Sequence, residues 1–233
     1  MAQIGEIRVD GVPMRILHAT PSSAGRHPAI VIMFHRDGFD DFTHRVADDL
    51  AGAGYVAAAP DLYHWPPVHE VPRENPFPRD PGIVRDVAAT VEWLGRRADV
   101  EKSRMGIMGH CMGGRLSFLG ASTNPAFRAC VVYYGGNMFV PWSDDGPAPF
   151  ELLKNIRGPV IGFFGNDDQN PSPDDVDRID AELDRLGIAH EFHRYDGAGH
   201  AFQNFLSAPR YREEATRDSW GRTMRFLDRT LKP

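Results

Sequence analysis

One cysteine of the sequence stands in a setting that is typical of a catalytic nucleophile. Cys111 is the centre of a G-x-C-x-G pentad, Gly109-His-Cys-Met-Gly113, the pattern of a strand–turn–helix nucleophile elbow with cysteine in the place of serine. Flanking glycines let a strand and a helix pack closely around a strained turn. The thiol then projects at the N-terminus of the helix, whose dipole favours the thiolate. The pentad alone is equally compatible with a buried structural cysteine.

A later aspartate and histidine favour catalysis over that structural alternative. A cysteine is only a few per cent thiolate at neutral pH, so a catalytic thiol normally needs a base and an orienting acid. Hydrolases with a nucleophile elbow place these residues in the order nucleophile, acid, histidine, and Cys111, Asp168 and His200 follow that order. We therefore predict a triad of these three residues. Asp167 competes for the acid role, but the G-x-x-D spacing from Gly165 favours Asp168.

Apolar runs and amphipathic helical patterns alternate along most of the chain. The run Ala29–Phe34 is continuous, which is typical of a strand covered on both faces, and helical spacing follows Asp41, Asp80 and Pro173. This alternation predicts an α/β protein with a doubly wound, mostly parallel sheet and helices on both faces. The start differs, because two alternating runs around Asp10-Gly11 predict an antiparallel hairpin.

The predicted sheet also indicates where the active site lies. Ligands of doubly wound sheets bind at the carboxyl ends of the strands, and the three triad residues all follow predicted strands. A length of 233 residues suits one domain, 1–233. Two irregular aromatic stretches, 61–79 and 137–149, follow strands as well, and we expect them to cover the site.

Composition excludes several classes of function. A net charge of −6 without a basic stripe argues against nucleic acid as a partner. The two cysteines, Cys111 and Cys130, form no disulfide framework, and Cys130 is expected in the core. The chain opens on no signal-peptide pattern, and no apolar segment approaches the roughly 18 residues of a membrane span. We expect a cytoplasmic monomer or small homo-oligomer that acts on a small molecule, with no membrane partner.

Five short motifs are spread over most of the chain. They are Pro60-Asp-Leu-Tyr63, Gly109-His-Cys-Met-Gly-Gly114, Tyr133-Tyr-Gly-Gly136, Gly165-Asn-Asp-Asp168 and Gly197-Ala-Gly-His-Ala-Phe202. Together they resemble the dienelactone hydrolase family of α/β-hydrolases. The resemblance implies the α/β-hydrolase fold and a cofactor-free hydrolase of carboxylic esters or lactones. It also implies that Cys111 is the nucleophile, His200 the base and Asp168 the acid that orients the base.

An oxyanion hole is expected from two backbone N–H groups, those of Met112 and Arg36. Two residues depart from the family pattern. Type members of the family carry a glutamate where His35 stands and a substrate-binding arginine where Asn204 stands. These departures weaken the case for the anionic substrate of those type members. The remaining candidates for an anion contact are Arg36, Arg73 and Arg79.

Aromatic side chains of the irregular stretches are predicted to line a concave substrate pocket. The alternative is that these rings only pack the loops against the body of the protein. His35 is either a second polar group of the pocket or a loop histidine that bonds to backbone. No metal site is expected, since His190 and His193 lie three apart on a strand and face opposite sides. The predicted substrate-binding residues are His35, Phe39, Tyr63, Trp65, Phe139, Trp142 and Asn204.

The functional hypothesis is acyl transfer through a thioester on Cys111, which favours activated esters, enol esters and lactones over amides. Two alternatives stay open. The same nucleophile could act on phosphoesters or organophosphates. A chain with this fold could also be a non-catalytic binding or thiol-sensing protein.

Overall fold

Eight strands of the described residues form one sheet, in the order β1-β2-β4-β3-β5-β6-β7-β8. The structure is a computed structural model that describes residues 1–65, 77–143 and 145–232. The strands are β1 (Gln3–Val9), β2 (Val12–Ala19), β3 (His27–Met33), β4 (Val56–Pro60), β5 (Val100–His110), β6 (Phe127–Tyr133), β7 (Val160–Gly165) and β8 (His190–Tyr195). All pairings among β3 to β8 are parallel, while β2 is antiparallel to both β1 and β4.

Helices cover both faces of this sheet. They are α1 (Asp41–Gly52), α2 (Asp80–Arg96), α3 (Met112–Thr123), α4 (Pro149–Leu152), α5 (Pro173–Leu186) and α6 (Glu213–Leu231), and a 3₁₀ turn (Leu153–Asn155) follows α4. The apolar sides of α2, α3 and α5 share one core, and those of α1 and α6 share the other. Among the helices of the described residues, none has the length and apolar character needed to span a bilayer. The predicted doubly wound architecture is confirmed.

The central strands contribute side chains to both cores. Along β3, Ala29, Val31 and Met33 enter the core under α2, α3 and α5, whereas Ile30 and Ile32 enter the core under α1 and α6. Successive side chains of a strand point to opposite faces, so a strand covered on both sides must be apolar throughout. This explains the continuous apolar runs of the sequence.

Local signals set several element ends. The turn between β1 and β2 has Asp10 and Gly11 at φ of 48° and 83°, as expected for the tight turn of a hairpin. Ser172 caps the start of α5, where its hydroxyl accepts the N–H of Asp175, and Gly187 with φ of 67° caps the end of the helix. The first half of β5 is largely exposed, and only its second half, from Met105 onward, is continuously buried.

Glycines allow α3 to touch the backbones of β3 and β5. A Cβ atom added to Gly113 would lie 1.8 Å from the carbonyl oxygen of Met33, and one added to Gly109 would lie 2.2 Å from the carbonyl oxygen of Gly113. No larger residue fits at either position without moving backbone. The glycines of the pentad therefore set how closely the helix after Cys111 approaches the sheet.

A buried ion pair joins α2, α3 and the loop after β6. Arg115 is 0% exposed, and its guanidinium donates to both carboxylate oxygens of Asp80 at 2.6 and 3.0 Å. It also donates to the carbonyl oxygens of Asn137 and Val140 at 3.1 and 2.8 Å and lies 3.8 Å from the ring centre of Trp142. A buried charge is tolerated when it is paired and hydrogen-bonded in this way. The pair therefore fixes the loop after β6 against α2 and α3.

The close approach of α3 leads to a stability prediction. Gly113→Ala should lower the free energy of unfolding by about 2–3 kcal/mol, because overpacking at a fixed backbone forces strands or helix apart. Urea denaturation measures the change. The matched control is Gly95→Ala on α2, where an added Cβ meets no atom within 4 Å. That change should raise the free energy of unfolding by up to about 1 kcal/mol, and equal stabilities for both variants would contradict the packing.

Candidate active site

Three side chains meet at the carboxyl edge of the sheet. His200 Nδ1 lies 2.8 Å from Asp168 Oδ2, and His200 Nε2 lies 2.9 Å from Cys111 Sγ. Cys111 follows β5, Asp168 follows β7 and His200 lies in the turn after β8. Because β5, β7 and β8 run parallel in one sheet, their carboxyl ends lie at the same edge. The imidazole bonds to Asp168, whereas the backbone N–H of Asp167 donates to Ala198 O at 2.9 Å.

Backbone strain is concentrated around the same point. Cys111 has φ of 57°, and Tyr134, Asn137 and Ala201 have φ of 39°, 52° and 63°. All four border one cleft. Residues other than glycine rarely adopt such angles, and strained backbone of this kind is found preferentially at functional sites. At Cys111 the strain turns the chain from β5 into α3 and leaves the sulfur at the N-terminus of the helix.

The Asp168 carboxylate is held by two separate bonds. The residue is 3% exposed, its Oδ1 accepts the N–H of Asn170 at 2.9 Å, and its Oδ2 faces His200. Each oxygen therefore has its own donor. This arrangement leaves the carboxylate one orientation toward the imidazole.

The charge of His200 is set by these neighbours. Burial lowers the pKa of His200, but the hydrogen bonds to Asp168 and Cys111 outweigh burial and raise it to about 10. The imidazole is therefore cationic at neutral pH. A cation beside a cysteine sulfur stabilises the thiolate, as does the N-terminal end of α3.

The two residues predicted to supply oxyanion donors border the same cleft as Cys111. Met112 is the first residue of α3, so its N–H has no partner within the helix. Arg36 lies in the turn after β3, in which the N–H of Gly38 donates to His35 O at 3.1 Å. The structure thus places both backbone segments at the cleft that holds Cys111.

The cleft around these residues has a volume of about 720 Å³, within the range of small-molecule sites. Of the residues predicted to bind substrate, His35, Trp142 and Asn204 line it. The ring of Trp142 stacks on Phe77 at 4.4 Å between centres, so described parts of both irregular stretches reach the cleft. Within those stretches, residues 66–76, which include Arg73, and residue 144 lie outside the described part of the chain.

Four aromatic residues predicted to bind substrate pack between elements instead. Trp65 donates its indole N–H to both carboxylate oxygens of Asp86 on α2 at 3.0 and 3.1 Å. The ring of Phe139 lies 4.7 Å from that of Phe150, and Phe39 packs edge-on against Phe34 at 5.5 Å. The hydroxyl of Tyr63 donates to Arg36 O. The residues absent from the described lining of the cleft are Phe39, Tyr63, Trp65 and Phe139.

His35 and Asn204, the two departures from the family pattern, both make defined polar contacts. His35 is buried between two carboxylates, with Nε2 2.9 Å from Asp40 Oδ2 and Nδ1 3.5 Å from Asp37 Oδ2. Burial raises the pKa of Asp40, but His35 and the N–H of Thr43 outweigh burial and lower it. Asn204 uses its amide oxygen to accept the N–H of Leu206 at 2.9 Å. Its side chain therefore caps a turn at the edge of the cleft.

Two groups of potential metal ligands occur among the described residues. One is His35, Asp37 and Asp40 in the cleft, and the other is Asp180, Asp184 and His190 between α5 and β8. In each group the imidazole lies within 3.0 Å of a carboxylate oxygen. A protonated histidine makes such a contact without an ion, so neither group requires a metal.

Several residues of the cleft were not predicted. Tyr134 directly follows β6, its ring lies 5.2 Å from that of His200, and burial raises its pKa well above the usual range. Its place after a strand was a usable signal. The segment after His200, which forms one wall of the cleft, gave no such signal in the sequence. Its residues belong to an irregular stretch that packs against the cleft. Further lining residues are Phe77, Asn137, Asn170, Leu206, Arg210 and Arg212.

Comparison with known proteins places the sequence among hydrolases of one family. The family model of the dienelactone hydrolase family matches residues 14–231. A Methylorubrum extorquens protein, provisionally named carboxymethylenebutenolidase, is 30% identical over 232 residues, covering 94% of this chain and 78% of that protein. A Bradyrhizobium protein, provisionally named 2-oxo-3-(5-oxofuran-2-ylidene)propanoate lactonase, is 31% identical over 219 residues, covering 90% of this chain and 86% of that protein.

Solved structures agree with this result. A Klebsiella pneumoniae protein, provisionally described as a dienelactone hydrolase, superposes with a TM-score of 0.84 at 26% identity, covering 97% of this chain and 98% of that one. A dienelactone hydrolase-like promiscuous phosphotriesterase from metagenomic libraries also has a TM-score of 0.84, at 18% identity and with 99% and 98% coverage. That second likeness is one of fold alone. The resemblance seen in the five motifs is confirmed, and the chain belongs to the dienelactone hydrolase family of α/β-hydrolases.

Proposed function

We propose that this protein hydrolyses carboxylic esters or lactones of small molecules through an acyl-thioester on Cys111. Membership of the dienelactone hydrolase family supports the reaction class. The observation that carries the proposal is the position of His200, whose two ring nitrogens lie 2.9 Å from Cys111 Sγ and 2.8 Å from Asp168 Oδ2. A nucleophile within hydrogen-bond reach of a base that a third group orients is the arrangement required for covalent catalysis.

Acylation begins with the sulfur. The proton of the thiol rests on His200, and the thiolate forms a bond to the carbonyl carbon while the carbonyl π electrons move to oxygen. The N–H groups of Met112 and Arg36 donate to this oxyanion. The tetrahedral intermediate then collapses, the carbon–oxygen bond of the ester breaks, and the leaving alkoxide takes the proton of His200. The acyl group remains on Cys111 as a thioester.

Deacylation reuses the same groups with water as the nucleophile. His200 accepts a proton from water, and the hydroxide oxygen bonds to the thioester carbon. The second oxyanion occupies the same hole. Its collapse breaks the carbon–sulfur bond, releases the carboxylic acid product and restores the thiolate beside the imidazolium. Asp168 keeps the imidazole in one orientation through both halves of the reaction.

The leaving group determines which substrates suit this site. A thiolate is itself a good leaving group, so an intermediate whose other substituent leaves poorly returns to substrate. Activated esters, enol esters and lactones therefore fit, whereas amides do not. In a lactone the leaving oxygen stays attached to the acyl group, and the cleft of about 720 Å³ has room for both parts.

Turnover by nucleophile variants tests the proposal. Wild type is assayed with p-nitrophenyl acetate, dihydrocoumarin, an enol lactone and the phosphotriester paraoxon. Cys111→Ala should lose at least about 10³-fold in kcat, because removing a nucleophile abolishes covalent catalysis. The control is Cys130→Ala, since Cys130 is a buried core residue remote from the chemistry, and it should keep wild-type kcat.

Each other result contradicts a defined part of the proposal. Equal turnover by wild type and Cys111→Ala would overturn the nucleophile. Turnover of paraoxon alone would overturn the carboxylic substrate class. A folded wild-type protein that is inactive with every substrate would favour a binding or thiol-sensing protein.

The acid residue has its own test, the pH dependence of thiol reactivity. The Asp168 carboxylate raises the pKa of His200, so Asp168→Asn lowers it and leaves less imidazolium at neutral pH. Less positive charge then lies beside Cys111 Sγ to stabilise a thiolate. The midpoint of the pH profile for alkylation by iodoacetamide should therefore move upward, and kcat should fall by about 10³–10⁴. Asp167→Asn is the matched control, and a shift with Asp167→Asn but not with Asp168→Asn would reverse the assignment.

A further inference from the structure

One of the two proposed oxyanion donors lies on a loop. The N–H of Met112 is fixed by α3, but Arg36 and its neighbour Asp37 are both exposed in the turn after β3. Donors of an oxyanion hole act because they are preorganised, and a site must be held within about 0.5 Å of its productive geometry. The loop therefore needs a contact that fixes the backbone of Arg36 itself.

The hydroxyl of Tyr63 makes that contact. It donates to the carbonyl oxygen of Arg36 at 2.9 Å. The preceding carbonyl, that of His35, accepts the N–H of Gly38 at 3.1 Å. The peptide groups on both sides of the Arg36 Cα atom are thus each held by one hydrogen bond. Rotation of the peptide group that carries the Arg36 N–H would break at least one of them.

The same hydroxyl also touches the residue that supplies the other donor. Tyr63 Oη lies 3.5 Å from Met112 Sδ, and the ring packs 5.6 Å from the ring of Phe34, the last residue before the loop. Tyr63 therefore lies between the two backbone segments of the proposed hole. It does not line the described part of the cleft, and its hydroxyl contacts Arg36 and Met112 instead.

Tyr63 is in turn anchored to the sheet. Asp61 Oδ1 accepts the N–H of Tyr63 at 3.2 Å, and Asp61 Oδ2 accepts two bonds from the Arg15 guanidinium at 2.9 and 2.7 Å. The N–H of Asp61 donates to Arg15 O at 2.9 Å. A continuous series of bonds runs from β2 through this turn to Arg36.

The hydroxyl of Tyr63 keeps its proton at neutral pH. Burial raises the pKa of Tyr63 to about 12, and the nearby Asp37 carboxylate acts in the same direction. A carbonyl oxygen can only accept, so the bond to Arg36 requires the protonated form. The contact is therefore present at neutral pH.

We propose that Tyr63 is a positioning residue, whose hydroxyl holds Arg36 against Met112 and so maintains the oxyanion hole. This inference rests on the proposed function, because it concerns the hole that serves Cys111. It reassigns a side chain that the sequence placed in the substrate pocket.

The test compares two tyrosines at opposite ends of β4. Tyr63→Phe removes only the hydroxyl after the strand. Tyr55→Phe removes the hydroxyl before the strand, which donates to Asp228 at 2.7 Å. Both variants are assayed with p-nitrophenyl acetate for kcat and KM, with an alkyl trifluoromethyl ketone for inhibition, and with iodoacetamide for the reactivity of Cys111. Thermal unfolding is measured in parallel.

Loss of one complete oxyanion donor costs about 10²–10³ in kcat, so a displaced donor should cost on the order of 10–100-fold. Tyr63→Phe should lower kcat and kcat/KM together, with KM within about twofold, because the lost interaction exists only in the transition state. Affinity for the trifluoromethyl ketone, whose thiol adduct carries an oxyanion, should fall by a similar factor. The rate of alkylation should not change. Tyr55→Phe should keep wild-type values in all three assays.

Two results would overturn the inference. One is a Tyr63→Phe enzyme with wild-type kcat and inhibition. The other is a parallel fall of kcat, alkylation rate and thermal stability, which would indicate a general structural role. The inference and the proposed function fail differently. Full activity of Cys111→Ala overturns the function, whereas an inactive Cys111→Ala enzyme beside an unimpaired Tyr63→Phe enzyme overturns only the role of Tyr63.

Discussion

The contact between α3 and the backbone of β3 is the constraint on which the rest of the site depends. An added Cβ on Gly113 would lie 1.8 Å from Met33 O and 2.8 Å from Phe34 O. Because β3 continues directly into the loop that carries Arg36, this contact sets where that loop begins relative to Met112, one residue before Gly113. It also forces the chain between β5 and α3 through the strained turn at Cys111. One packing contact therefore places Cys111, Met112 and the start of the loop that carries Arg36, the residues of the proposed nucleophile and oxyanion hole.

A ring of hydrogen bonds connects the remaining parts to this contact. The N–H of Arg115 reaches Cys111 O, and its guanidinium donates to Asn137 O at 3.1 Å. The N–H of Asn137 donates to the side-chain oxygen of Asn170 at 2.9 Å, and the N–H of Asn170 donates to Asp168 at 2.9 Å. From Asp168 the bonds return through His200 to Cys111. Asp168, His200 and one wall of the cleft are thus fixed relative to Cys111 and the helix that follows it.

Much of the fold and the centre of the site could be predicted because their signals are local. Continuous apolar runs report burial on two faces, and the Asp10-Gly11 turn reports the hairpin. The order Cys111, Asp168, His200 is informative because each residue follows a strand of a parallel sheet. Contacts between side chains on elements far apart in the sequence could not be predicted. Trp65 and Arg115 both bond to acids of α2, Trp65 to Asp86 and Arg115 to Asp80. Asn204 caps its own turn, so an alignment position did not reveal its contact.

The central claim is that Cys111 carries the acyl group during turnover. The most direct measurement is acid quenching of wild type in the steady state with p-nitrophenyl acetate, followed by peptide mapping with mass spectrometry. The account predicts an acetyl group on the peptide that contains Cys111, at the sulfur, and its disappearance once substrate is exhausted. Acetylation of another residue at turnover-competent rates, with Cys111 unmodified, would contradict it.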